Sequence, residues 1–151
     1  MQVCEIMRHH PVVCFPEDSA EVAARTMAEH NVGILPVVRK GSGGKLLGVV
    51  TDRDICLRVV AEGRGPRGVK VAECMTSTPI CCGPRDDIHF AMLLMREHQV
   101  RRIPVVDAEN HIGGMLSFSH LVNSSAEPED LTNTFRQTCY PASRALQVTQ
   151  H

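Results

Sequence analysis

The residues with the greatest chemical reach stand in the string Gly48-Val-Val-Thr-Asp-Arg-Asp-Ile55. Thr51 supplies a hydroxyl, Arg53 a guanidinium and Asp54 a carboxylate. A carboxylate has two acceptor oxygens, and the bonds it accepts from neighbouring hydroxyls are charge-assisted and strong. The apolar residues before Thr51 read as a strand and those after it as a helix, whose free N–H groups and dipole favour a nearby phosphate. The same Thr-x-x-Asp spacing also fits a loose capping box, in which each side chain satisfies the other residue's backbone donor. Both readings stand at this stage, and Thr51 can serve both.

The other constellations point away from chemistry. The chain has seven cysteines and eight histidines, yet no Cys-x-x-Cys or His-x-x-x-His pair. Cys81 and Cys82 are adjacent and face opposite sides of a strand, so a structural zinc is not expected. His9 and His10 precede Pro11 and read as a solvated loop, whereas His30 and His98 read as helix ends, where an imidazolium complements the dipole. There is no Gly-x-Ser-x-Gly elbow and no Walker loop, because Gly41-Ser-Gly-Gly44 lacks the following Lys-Ser/Thr. No catalytic residues are assigned. Sixteen basic residues against seventeen acidic ones leave a charge of −1, which argues against a nucleic-acid binder. No Trp, one Tyr and four Phe are too few for a base-stacking platform. No secretory signal is visible at the N-terminus. The longest apolar run, Phe90 to Met95, is far short of the ~20 residues that cross a bilayer. A soluble, cytoplasmic protein with reduced thiols is expected. Cys14, Cys56 and Cys82 sit in apolar contexts and read as small buried hydrophobes.

The elements that hold the Thr51–Asp54 pair are duplicated. An offset of 68 carries Val3-Cys-Glu-Ile-Met7 onto Val71-Ala-Glu-Cys-Met75 and Pro36-Val-Val38 onto Pro104-Val-Val106. It also matches Pro11 with Pro79, Cys14 with Cys82, Met27 with Met95 and His30 with His98. After a loop the offset becomes 66, and Gly48-Val-Val-Thr51 meets Gly114-Met-Leu-Ser117. The 151 residues therefore divide into a first repeat (1–62), a linker (63–70), a second repeat (71–125) and a partly helical tail (126–151). Each repeat reads β-α-β-β-α, an α/β (α+β) class. Its parts are a strand at Pro11–Phe15, a helix capped by Ser19 with Val22, Ala23 and Met27 inside, strands at Leu35–Val38 and Leu46–Val50 joined by the glycine loop, and a helix from Asp52 to Ala61 closed by Gly63. In the second copy the first helix spans Asp87 to Gln99, with Phe90, Ala91, Leu94 and Met95 inside. Met27, Met92 and Met95 read as core. Pro128 starts a tail helix with Leu131 and Phe135 on one face, and the last residues are expected to fray. Each repeat is too short for a robust core alone, so the two are expected to pack against each other.

The repeat, its element order and the Gly48–Ile55 string resemble the CBS domain family, over roughly residues 3–123. The strings His30-Asn-Val-Gly-Ile-Leu-Pro-Val-Val38 and His98-Gln-Val-Arg-Arg-Ile-Pro-Val-Val-Asp107 are similar to that family's strand entries. The resemblance implies a regulatory CBS pair (a Bateman module), its two repeats packed as a pseudo-twofold pair with two clefts. It requires no cofactor and takes AMP, ADP, ATP or S-adenosylmethionine as regulatory ligand. It further implies a homodimer formed through the CBS helices and an effector protein that the sequence does not name. By family position, Thr51 and Asp54 hold the ribose, Arg53 adds a cation, and Val12, Val13, Ile34 and Leu35 line the base slot. In the second cleft Ser117 is kept, but His120 stands for the acid, beside Ile80 and Arg102. Neutral His has one acceptor nitrogen and cannot take two hydroxyls as a carboxylate does, so the second cleft is expected to be weaker. The competing reading is a ligand-free structural or partner-binding dimerisation module, with a metal or thiol-redox sensor a distant third.

Overall fold

The computed structural model describes residues 1–124 and 126–139. Ser125 and the stretch 140–151, on which the expected fraying falls, lie outside them. The two equivalent helices of the repeats start on side-chain caps. Ser19 Oγ accepts from the Val22 N–H at the head of α1 (Ala20–His30), and Asp87 Oδ1 accepts from the His89 N–H at the head of α4 (Ile88–His98). Both helices stop on a left-handed residue, Asn31 at φ 51° and Gln99 at φ 54°, as a helix C-terminus commonly does. Ala20, Ala23 and Met27 are buried on α1, and Ile88, Ala91, Met92 and Met95 on α4. Leu94 is half-buried against the same core. Two residues expected inside turn outward: Val22 is 45% exposed and Phe90 47%. They occupy matching positions, and at about 100° per residue each falls on the far side of its helix from the buried stripe.

The chain forms two compact units, each drawing on both sequence repeats. The first comprises His10–Pro79 with Val106–Ile112. In it β2 (Ile34–Val38) pairs antiparallel with β3 (Leu46–Thr51), Ile34 opposite Thr51 and Leu35 opposite Val50. The turn between them places Gly41, Gly43 and Gly44 at positive φ, a region open to glycine. The expected strand at Pro11–Phe15 contracts to one parallel bridge between Cys14 and Val37. Pro11 and Pro16 flank it and lack the N–H needed to extend the ladder. β3 runs directly into α2 (Asp52–Ile55), which continues not as α-helix but as a π-helical turn, Cys56–Val60. Gly63, at φ 69°, follows at the expected stop. The short helix α3 (Val71–Cys74) opens the second repeat, yet it packs in this unit. The Val71 N–H donates to Asp18 O at 2.8 Å and the Ala72 N–H to Pro16 O at 3.1 Å. Val71 and Cys74 share the core with Leu35, Val37, Val50 and Val59.

The second unit comprises Met1–His9, Ile80–Val105 and the described residues from Gly113 on. The same bonds recur: the Val3 N–H donates to Asp86 O and the Cys4 N–H to Pro84 O, both at 2.9 Å. Residues Arg8–His9 are not loop but a short strand, β1, which pairs with β5 (Ile112–Ser117). β4 (Arg102–Val106) flanks β5 on its other side. Pairing draws His9 into the ladder because Arg8 and His9 follow directly on the exchanged turn at Val3–Glu5. α5 (Phe118–Val122) follows β5, and α6 (Pro128–Cys139) packs on α4 and α5. Leu131 meets the core, and the Phe135 ring lies 5.8 Å from that of Phe118. Among the described residues no helix is long and apolar enough to cross a membrane.

None of the seven cysteines is in a disulfide. Cys14 and Cys82 are buried, as expected, but Cys56 is exposed and Cys74 is buried in its place. Ile55 and Val59 take the inward positions of that helix, so Cys56 faces out. Burial pushes the Cys14 and Cys82 thiols up to about 12, with Asp18 and Asp86 adding to the effect. At pH 8 the thiolate fraction of such a group is only ~10⁻⁴, and the thiolate is the reacting species. In native protein an alkylating reagent therefore modifies Cys56 well before Cys14 or Cys82, as peptide mapping of a time course reads directly. Equal rates contradict this packing. A second test concerns Gly48, where a Cβ would collide with the Thr76 carbonyl oxygen. Gly48→Ala lowers stability by about 1–3 kcal/mol, the usual cost of overpacking. An unchanged urea midpoint rules out that close approach.

Candidate functional site

The corner between β3 and α2 is locked from both sides. β2 sets Ile34 opposite Thr51, and the Asp52 N–H donates to Gly33 O at 3.1 Å. Thr51 Oγ1 accepts from the Asp54 N–H at 3.0 Å, and Asp54 Oδ2 accepts from the Thr51 N–H at 2.9 Å. The capping box read from the spacing is therefore complete. It does not exhaust the carboxylate, since each oxygen carries two lone pairs. Oδ1 faces Arg58 Nη2 at 3.7 Å, and the Asp54 side chain is 15% exposed.

The remaining residues assigned to this site share its unit but differ in availability. Val12, Val13 and Ile34 are half-buried, and Val12 packs on the core. Leu35 is fully buried, and its side chain packs in the core. Arg53 is exposed, and its backbone N–H donates to Asp52 Oδ1 at 2.8 Å. Sequence reasoning missed Arg58. Its signal was the i, i+4 spacing from Asp54, which places a cation one turn from the carboxylate.

The second corner has the same skeleton and different chemistry. The Phe118 N–H donates to Arg101 O at 2.9 Å, matching the Asp52–Gly33 bond. The Ser117 N–H donates to His120 Nδ1 at 3.2 Å, and the Ser117 and Ser119 hydroxyls lie 2.7 Å apart. With Nδ1 accepting, the neutral ring carries its proton on Nε2, and its one acceptor is already used. Ile80 is half-buried, while Arg101 and Arg102 are exposed. Among the described residues no three His, Cys, Asp or Glu side chains gather to hold a metal ion.

Burial, with Arg8's charge second, holds His120 below its usual 6.5. The unfolded chain thus takes up this proton at a higher pH than the folded one. The contribution to stability is complete above about pH 6.5 and drains away as pH falls toward the lower folded value. His120→Asn keeps an acceptor and removes the titration. Urea unfolding near pH 7.5 and near pH 5.5 should show a smaller loss in His120→Asn than in the parent chain. Equal losses would mean that His120 does not titrate as placed.

The family model for the CBS domain matches residues 3–61 and again residues 71–127. The chain belongs to the CBS-domain family. This CBS pair is 38% identical over 129 residues to the CBS domain-containing protein YhcV of Bacillus subtilis, spanning 83% of this chain and 89% of that one. A CBS domain protein from Pyrobaculum aerophilum, solved in complex with AMP, superposes with a TM-score of 0.76 at 25% identity, covering 89% of this chain and 98% of its own. The structure of Hypoxic Response Protein I with two coordinated zinc ions gives a TM-score of 0.74 at 26% identity, over 83% of this chain and 100% of that one. The mixed α/β fold of two CBS repeats is thus shared with solved CBS proteins.

Proposed function

We propose that this CBS pair is a regulatory module that binds an adenosine-containing nucleotide of the AMP, ADP or ATP class at the Thr51–Asp54 corner. The observation that carries the reading is Asp54. Its carboxylate is largely shielded from water, is oriented by the Thr51 N–H and retains lone pairs for the two hydroxyls of a ribose. S-adenosylmethionine carries the same ribose and falls within the class. Val12, Val13 and Ile34 form the apolar side that suits adenine, and Arg53 meets the phosphate. The AMP complex of the Pyrobaculum aerophilum relative supports the choice of ligand. The Ser117–His120 corner, with Ile80 and Arg102, binds such a ligand weakly because its acceptor is occupied.

The module acts by binding and not by catalysis. A ligand shifts its conformation only through unequal affinity for two states, and an effector protein reads that shift. The working form is a homodimer built through the CBS helices. Val22 on α1 and Phe90 on α4, apolar and exposed at matching positions, support that arrangement. Seven cysteines outside any disulfide suit a cytoplasmic setting. One observation favours a second reading, a ligand-free partner-binding module: the capping box at Thr51 is complete without any ligand.

Calorimetry with AMP, ATP and S-adenosylmethionine decides between them. Heat from one strong site per chain is expected. Asp54→Asn, which keeps the cap's acceptor oxygen, weakens that site by about tenfold to a hundredfold, since hydrogen bonds to a charged group contribute ~1.5–3 kcal/mol. Binding that ignores Asp54→Asn sinks the assignment, and no heat with any of the three leaves the ligand-free module.

A further inference from the structure

One side chain joins the Thr51–Asp54 corner to a stretch of chain far away in sequence. Arg58 lies on the π-helical turn that follows α2, one turn beyond Asp54. Its Nη2 stands 3.7 Å from Asp54 Oδ1. Its Nη1 donates to Cys74 O at 3.0 Å and to Met75 O at 3.1 Å. These two carbonyls close α3, where a helix leaves C=O groups without internal partners and where a cation meets the negative end of the dipole. A guanidinium can face a carboxylate and two carbonyls at once because its donors form a rigid planar fork; an ammonium cannot hold that geometry. The π turn is part of the arrangement. Its wider winding, marked by the Ala61 N–H bonding to Cys56 O at 2.9 Å, is a feature that recurs at functional sites. Among the described residues the second corner has no counterpart. Ser124 holds the matching place, and its hydroxyl donates back to Leu121 O at 2.6 Å.

The segment that Arg58 grips is the one that carries the second repeat into the first unit. Val71 and Ala72 are bonded to Asp18 and Pro16, and Thr76 exchanges two backbone bonds with Val49, two residues before Thr51. Arg58 is the side chain that ties the end of this segment to Asp54. We propose that Arg58 is the positioning residue of the site: it orients the carboxylate oxygen that the capping box leaves over, and it couples ligand at Asp54 to the order of residues 71–76. The ligand half of this inference rests on the adenosyl-nucleotide reading; the link between Asp54 and α3 does not. Coupling of this kind is reciprocal. Whatever nucleotide does to the segment, the segment's order does to nucleotide affinity by the same factor.

Hydrogen exchange of the full chain, with and without AMP, tests both halves. Without ligand, Arg58→Met speeds exchange of amides 71–76 about tenfold, in the usual range of coupling energies. Asp54→Asn speeds it less, and Arg58→Lys falls in between. Amides of β4 stay at parent rates, which separates a local effect from general loss of stability. With AMP, the parent chain slows exchange at 71–76. Arg58→Met binds AMP about tenfold more weakly, and its 71–76 amides no longer respond. Parent-like exchange in both ligand-free variants overturns the link. Unchanged AMP affinity in Arg58→Met overturns the positioning role. If AMP, ATP and S-adenosylmethionine all fail to bind the parent chain, the nucleotide reading falls and the coupling to it falls with it, while the ligand-free rates still decide whether Arg58 joins Asp54 to α3.

Discussion

A backbone hydrogen bond made twice organises this protein: Val71 N–H to Asp18 O at 2.8 Å, and Val3 N–H to Asp86 O at 2.9 Å. Each bond seats the opening segment of one repeat on the strand-to-helix turn of the other. A repeat of roughly 60 residues buries too little surface to be more than marginally stable by itself, and a two-stranded hairpin such as β2–β3 is marginal in water. The exchange makes up the shortfall. Val71 and Cys74 enter one core fully buried, and Val3 enters the other. It also draws Thr76 along β3 beside Gly48, and Arg8 along β5 beside Gly114. Glycine stands at both places because the space a Cβ would take is filled, by the Thr76 carbonyl oxygen at Gly48 and by the Met7 sulfur and the Arg8 carbonyl oxygen at Gly114.

The same skeleton then carries two different corners. The bonds from Asp52 to Gly33 and from Phe118 to Arg101 are equivalent, so the backbone offers each site the same turn. What differs is the number of acceptors left after capping. Asp54 uses one oxygen for the Thr51 N–H and keeps lone pairs on both oxygens. His120 has one acceptor, and the Ser117 N–H takes it. Phe118, which stands where the first corner has Asp52, is engaged with Phe135 of the tail helix. Duplication preserved the turn, and substitution at two positions left a carboxylate at one corner only.

Much of this architecture was legible in the residues because it rests on short-range physics. Ser19 and Asp87 as caps, the glycine turn at Gly41–Gly44, the buried faces of α1 and α4 at Ala23 and Met95, and the Leu131–Phe135 face of the tail helix all depend on spacings of a few residues. The reciprocal bonds of Thr51 and Asp54 belong to the same class, since a side chain can reach a backbone N–H three residues away without help from the rest of the fold. The repeat itself showed in the offset, because equivalent positions meet equivalent neighbours and keep similar residues.

The tertiary structure alone decided what depends on distant chain segments. It placed the repeat openings in opposite units, shortened the strand at Cys14 to a bridge, drew His9 into pairing and turned Val22, Cys56 and Phe90 outward. It also brought Arg58 to Cys74, sixteen residues on. Only the bridge at Cys14, flanked by Pro11 and Pro16, has a local cause as well. A helix face is inside or outside according to what packs on it, and a guanidinium on an exposed helix finds carbonyls only where another segment ends beside it. Thr51 and Asp54 were therefore readable as a pair from their spacing, and Arg58 stands one turn beyond Asp54 in the same way, while its bonds to the Cys74 and Met75 carbonyls exist only because residues 71–75 fold against it.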